Sequence, residues 1–173
     1  MKIVLVGYMG SGKSSVGKKL AEKLKIPFMD MDTEIEKQQG ISVSEVFRTK
    51  GEIYFRTIEN KILKELISQL EKFVLAIGGG TPCYADSMAY MASKEDVKTI
   101  YLKTSLSTLT SRLLNEKDKR PLLAHLKTEE DLNDFIRKHL FERAYYYNQS
   151  KIVIENNSEA LDDTVERIVS KLF

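Results

Sequence analysis

The chain has 173 residues, 42% apolar and 30% charged, the composition of a single ordinary globular domain spanning residues 1–173. Its 27 Lys and Arg against 25 Asp and Glu leave a net charge of +2, which argues against a general nucleic-acid binder or a polybasic membrane binder. One cysteine, Cys83, and two histidines, His125 and His139, exclude an intrachain disulfide, a cysteine-based zinc site and HExxH-type ligation.

No GxSxG elbow is present, and no apolar run approaches the ~18 residues that span a bilayer. The apolar stretch at the N-terminus is too short for a signal peptide, and nothing resembles a C-terminal lipid or retention signal. The expected location is the cytoplasm. With no sustained heptads and no evident apolar patch, the expected state is a monomer.

In chain order, residues 3–6 form a continuous apolar run, the pattern of a strand buried on both faces. The glycine-rich GYMGSGKS of residues 7–14 follows. A helix is predicted over 14–24, with Val16, Leu20 and Leu24 on one face. Residues 28–29 are the next strand signal, followed by Asp30-Met31-Asp32. Residues 31–60 read as mostly helical, more chain than one crossover needs. Within them Ser42-Val43-Ser44-Glu45 reads as a capping box opening a separate short helix. This extra layer suggests a small insertion with a second function. A helix over 51–70, a strand over 73–77 ending in Gly78-Gly79-Gly80, a helix over 87–92, a strand over 97–102 and a helix over 106–116 come next. Residues 117–128 (KDKRPLLAHLKT) are a charged loop, either a lid or merely mobile. A helix over 129–147, a strand over 152–154 and a helix over 159–172 complete the chain. Strands alternating with helices predict βαβ units and a parallel sheet.

Residues 7–14 match GxxxxGK[ST] in full, between a buried strand and an amphipathic helix. Glycines let backbone N–H groups turn inward as an anion nest, and the helix N-terminus adds partial positive charge. Lys13 is placed to reach the β and γ phosphates and Ser14 to ligate Mg²⁺. Such a loop is a P-loop nucleotide binder rather than a plain connecting turn. A GTPase is disfavoured: DxxG is absent, and Asn115-Glu116-Lys117-Asp118 has its lysine misplaced. A motor ATPase is disfavoured because the strand over 73–77 ends in glycines. Asp30 and Asp32 return to the same sheet edge as the P-loop. One suits a metal water shell and the other a substrate hydroxyl, although both also suit a helix cap. Arg56 and Glu59 are either an i,i+3 surface pair or a carboxylate clamp oriented by Glu59. Arg120 lies in the charged loop and Arg143 precedes three tyrosines; each alone reads as a solvated charge.

Taken together, the P-loop, Asp30-Met31-Asp32, Gly51-Glu52 with Phe55-Arg56 and Glu59, Gly78-Gly79-Gly80, Arg120-Pro121-Leu122-Leu123 and Arg143 resemble the shikimate kinase family from end to end. The resemblance implies an α/β, three-layer P-loop kinase fold. Its five-stranded parallel sheet, order 2-3-1-4-5, is flanked by helices, with a helical substrate-binding insertion at 31–60 and a lid at 117–128. It implies transfer of the γ-phosphate of ATP to the 3-hydroxyl of shikimate, giving shikimate 3-phosphate and ADP on the route to chorismate and the aromatic amino acids.

The resemblance also implies residue roles. ATP is held by Gly10, Ser11, Gly12, Lys13, Ser14, Ser15, Arg112 and Arg120. Shikimate is held by Asp32, Arg56, Gly78, Gly79, Gly80 and Arg143, the two arginines taking its carboxylate. Mg²⁺ is held by Ser14 and, through water, Asp30. Lys13, Asp32 and Arg120 are the catalytic set. ATP and shikimate are the partners, with no nucleic acid and no membrane. Near Asn156-Asn157, where the family's adenine-side loop falls, no sharp pattern is present, and base selectivity stays open. Two other readings compete: a related kinase for gluconate or a nucleoside monophosphate, and a non-catalytic nucleotide-binding regulator. Arg56, Arg143 and the aspartate pair ask for an anionic polyol, against the first. The presence of Lys13, Ser14, Asp30, Asp32 and Arg120 speaks against the second.

Overall fold

A computed structural model describes residues 1–157 and 160–173. Strands β1 (Lys2–Val6), β2 (Phe28–Asp30), β3 (Phe73–Ala76), β4 (Val97–Lys103) and β5 (Ile152–Glu155) alternate with helices. These are α1 (Lys13–Leu24), α2 (Met31–Gln39), α3 (Val43–Gln69), α4 (Ser87–Ser93), α5 (Leu106–Leu114), α6 (Glu129–Tyr147) and α7 (Leu161–Leu172). The strands pair in parallel in the order β2-β3-β1-β4-β5, as the resemblance implies. Among the described residues no helix is long and apolar enough to cross a membrane.

The central position of β1 follows from its side chains. Ile3 and Leu5 point into one core with Val16 and Leu20 of α1 and Val165 and Ile168 of α7. Val4 and Val6 point into the other, with Ile35, Ile62, Leu109 and Ile136 of α2, α3, α5 and α6. A strand buried on both faces is apolar throughout because successive side chains face opposite layers. The parallel arrangement brings the C-terminal ends of all five strands to one edge, where the polar loops gather.

Several boundaries differ from the sequence expectation. Strand β2 extends to Asp30, which pairs with Ala76. Helix α5 stops at Leu114 and a 3-10 turn takes over at Lys117–Lys119. A helix start at Glu159 lies outside the described residues. The separate short helix opened by Ser42 is continuous with the next except at Gly51, whose φ of 84° and ψ of 171° break the α3 helix in two. Ser42 Oγ accepts from the Glu45 N–H at 3.1 Å. The Glu45 carboxylate turns to Arg48 instead of completing the capping box, and the Glu36 carboxylate takes the N–H of Val43, the first helical residue, at 3.1 Å. Cys83, expected as a small packing residue, sits half-buried in the 3-10 turn Thr81–Cys83 against the core.

Candidate active site

The loop between β1 and α1 is built around unclaimed amides. Gly12 caps α1 in a left-handed conformation, no side chain caps it, and its first turn holds no acid. By contrast α2, α3, α5 and α6 are capped by Asp30, Ser42, Ser105 and Thr128 side chains. A helix N-terminus left without a side-chain acceptor is a ready anion site. Lys13 Nζ donates to the carbonyls of Gly7 at 2.7 Å and Tyr8 at 2.9 Å, closing the loop on itself. Burial, with Arg120 adding repulsion, lowers Lys13 from 10.5 to about 8, against the pull of Asp30 and Asp32. Ser11 faces the other way. It is fully buried, its N–H is bonded to the Tyr8 carbonyl at 3.1 Å, and it does not line the cleft.

At the next strand end, Asp30 does two jobs at once. One carboxylate oxygen accepts from Asp32 N–H at 3.1 Å, capping α2, and the other accepts from Ser14 Oγ at 3.0 Å. Ser14 and Asp30 thus present hard oxygen donors beside the phosphate cradle, the donor type Mg²⁺ takes when phosphate oxygens and water complete its shell. Among the described residues no group of three or more His, Cys, Asp or Glu could hold a metal by itself. Asp32 keeps contact with the open cleft, yet the protein around it and the nearby Asp30, Glu59 and Glu36 carboxylates raise it from 3.8 to about 6.

The loop after β3 meets two arginines. Arg56 Nη1 donates to Glu59 Oε1 at 2.9 Å, and Glu59 is only 2% exposed. Its second oxygen accepts from Thr81 Oγ1 at 2.8 Å. Glu59 is buried and the Arg56 side chain only 16% exposed, so the pair is not a solvated surface contact. The guanidinium also stacks over Tyr84, 4.0 Å from the ring centroid. Arg143 is 8% exposed and lies 5.8 Å from the Tyr8 ring centroid, and no carboxylate of the described residues is within ion-pair distance. A buried cation without a counter-charge calls for an anionic ligand. Gly80 lines neither of the two clefts described below; it makes room for Arg56, since a Cβ there would sit 2.6 Å from Nη2. A Cβ at Gly79 would meet Arg143 Nη1 at 3.1 Å. The Gly79 carbonyl accepts from Tyr147 at 2.6 Å.

Arg120 reaches over the site from the charged loop. Its Nε and Nη2 donate to Glu116 Oε2 at 3.1 and 2.7 Å. Leu123 of the same loop is fully buried while Leu122 is exposed. Arg112 donates to the carbonyls of Gly10 at 3.1 Å and of Asn157, bracing the P-loop from the far side. Buried Asn156 does the same through Nδ2, which donates to the Ser11 carbonyl at 2.6 Å, while Thr164 Oγ1 donates to its Oδ1 at 3.1 Å.

These residues frame two clefts. One, of about 750 Å³, is lined by Gly10, Gly12, Lys13, Ser14, Ser15, Asp30, Gly78, Gly79 and Arg112. The other, of about 1030 Å³, is lined by Phe47, Arg56, Tyr84, His139 and Arg143. Met9, Asp32 and Arg120 line both. Sequence reasoning missed Tyr8, Tyr84, Glu116 and His139, and it placed Asn156 only near the adenine-side loop, not against the P-loop. Only Glu116, four residues before Arg120, carried a local signal.

A family model described as shikimate kinase matches residues 9–173. A shikimate kinase of Flavobacterium johnsoniae is 44% identical over 173 residues, covering 99% of this chain and 98% of the relative. One of Flavobacterium psychrophilum is 46% identical over 172 residues, covering 99% of each. Among solved structures, the shikimate kinase of Bacteroides thetaiotaomicron superposes with a TM-score of 0.90 at 36% identity, over 99% of this chain and 98% of that one. That of Acinetobacter baumannii, in complex with shikimate, gives 0.82 at 33%, over 99% and 92%.

Proposed function

Since the chain belongs to the shikimate kinase family, and so is an ATP-dependent kinase of shikimate, we propose that ATP fills its smaller cleft and shikimate its larger one. The phosphoryl group then passes between them beside Asp32 and Arg120. The observation that carries this assignment is the shared wall: Met9, Asp32 and Arg120 border both clefts. A donor and an acceptor so housed meet at one point, which is most of what phosphoryl transfer requires.

The roles follow from chemistry. The P-loop amides and Lys13 hold the triphosphate, with Gly10, Gly12, Ser14 and Ser15 around it and Arg112 toward the base. Ser14, and Asp30 through water, would hold Mg²⁺, which when bound neutralises phosphate charge. Arg56 and Arg143 take the shikimate carboxylate, fixing the ring so that one hydroxyl faces Asp32. As that 3-hydroxyl oxygen bonds to the γ-phosphorus, its proton passes to the Asp32 carboxylate, and the bond to the β,γ-bridging oxygen breaks to release ADP. A carboxylate near 6 is ionised at neutral pH and still basic enough for this work. Arg120 leaves Glu116 to meet the charge on the transferring group, and residues 117–128 close as a lid that excludes water. Residues 31–60 act as the acceptor-binding insertion of a single domain. A cytoplasmic location, supported by the ATP it consumes, and a monomeric state, supported by the lack of sustained heptads, are part of the same proposal.

Coupled ADP release with shikimate, gluconate and nucleoside monophosphates as alternative acceptors tests the reading. Shikimate-dependent ADP with the others inert is expected; its absence overturns the assignment.

A further inference from the structure

Tyr8 is the second residue of the P-loop, and no role in phosphate binding falls to its side chain. The ring is 1% exposed, and its hydroxyl lies 2.9 Å from His139 Nδ1. His139 belongs to α6, one turn before Arg143, and lines the larger cleft. The direction of the hydrogen bond follows from chemistry. Burial holds the Tyr8 phenol up at about 12, so it keeps its proton. Burial, with Arg143 beside it, lowers His139 to about 4, against the pull of Glu142, so the imidazole is neutral. A buried phenolic proton needs an acceptor, and Nδ1 is within reach. Tyr8 therefore donates, and the imidazole proton sits on Nε2.

Tyr8 also ends two other contacts. Its carbonyl accepts from Lys13 Nζ at 2.9 Å, and its ring lies under the Arg143 guanidinium. One residue thus touches the lysine assigned to the phosphates, the arginine assigned to the acceptor carboxylate, and the helix that bears that arginine. We propose that the Tyr8–His139 hydrogen bond is a positioning link that holds the phosphate cradle and the acceptor-bearing helix α6 in register for transfer. The proposal rests on the assignment of the two clefts above. Neither residue touches the reacting atoms; both act through Lys13 and Arg143.

The test has two independent arms. In the first, imidazole ¹⁵N spectra are recorded on the ligand-free protein, where His125 and His139 are the only histidines and His139→Asn assigns the signal. An Nε2-protonated His139 is expected, and an Nδ1-protonated one overturns the link whatever the activity shows. In the second, Tyr8→Phe, His139→Phe and the double variant form a cycle read at saturating ATP and shikimate. One hydrogen bond of the usual net worth corresponds to about three- to tenfold. Tyr8→Phe is expected to lower kcat by at least threefold, with the ATP KM within twofold of the parent. It is expected to have no further effect in the His139→Phe background. A smaller fall, or equal falls in both backgrounds, overturns the proposal. An unmodified protein without shikimate-dependent activity would instead overturn the cleft assignment and leave the first arm to judge the link.

Discussion

Gly80→Ala separates the two substrates through a residue that lines neither cleft. The backbone there has φ −87° and ψ −18°, which alanine adopts freely, so the effect is one of space alone. The added methyl would stand 2.6, 2.8 and 2.9 Å from Nη2, Nη1 and Cζ of Arg56. Ordinary carbon contacts lie at about 3.5–4.0 Å, so the guanidinium must retreat by roughly 1 Å. It is not free to do so without loss, because Glu59 holds it at 2.9 Å and Tyr84 stacks against it. A charged hydrogen bond is worth about 1.5–3 kcal/mol, and each 1.4 kcal/mol is tenfold in affinity. Displacing Arg56 from both Glu59 and the acceptor carboxylate should raise the shikimate KM about tenfold to a hundredfold. The P-loop is untouched, so the ATP KM should stay within twofold. Coupled ADP release, varying each substrate against saturation by the other, measures both. A shikimate KM within twofold of the parent, or an equal rise in both constants, would refute the placement of Arg56.

Two further outcomes follow from the site's charges. Arg143→Met should raise the shikimate KM at least tenfold and much more than the ATP KM. In the ligand-free protein it should raise Tm, because a buried charge without a counter-charge is replaced by an apolar chain of similar length. A lower Tm with both KM values equally raised would contradict this. Asp32→Asn should abolish most of kcat and leave the ATP KM near the parent value. In the nucleotide- and metal-free protein its stability effect depends on pH. The folded carboxyl sits at about 6 and the unfolded one near 3.8. The contribution of Asp32 to stability is therefore fully present below about 3.8 and is lost as pH rises through 6. The variant should be the more thermostable protein at pH 8, with the gap closing toward pH 4; a gap that widens on acidification would be the wrong sign.

What the sequence made legible was whatever local spacing encodes. The P-loop and the Asp30–Asp32 pair are contiguous signals whose strand–loop–helix context fixes their sheet edge, and the alternation of apolar runs gave the parallel sheet. Arg56 and Glu59 were visible as a pair, but the packing that takes them off the surface depends on Thr81 and Tyr84, residues of another loop. Tyr8 and His139 are 131 positions apart, and nothing in either neighbourhood announces the other. Asn156 was placed near the adenine-side loop, but its grip on the P-loop was not legible because its partners, the Ser11 carbonyl and Thr164, come together only when β5 docks beside β4. Chain reversal across the sheet creates these contacts, and spacing alone does not record them. Ser11 shows the converse. Its motif position suggests phosphate contact, while its N–H is already spent on the Tyr8 carbonyl.

Gly51 and Gly80 are glycines for opposite reasons, and the difference is one of chirality against volume. Around Gly51 an added Cβ meets nothing within 4 Å, yet φ 84° with ψ 171° is a backbone shape that glycine alone among the natural residues holds without strain. In stereochemical terms it is the mirror image of an ordinary extended residue, a D-residue position in an L-chain. That single reversed centre ends the short helical piece bearing Phe47 and Arg48, and lets the helix bearing Arg56 begin on its own axis. Bulk is tolerated at position 51 and handedness is not, whereas at position 80 handedness is irrelevant and one methyl is too many.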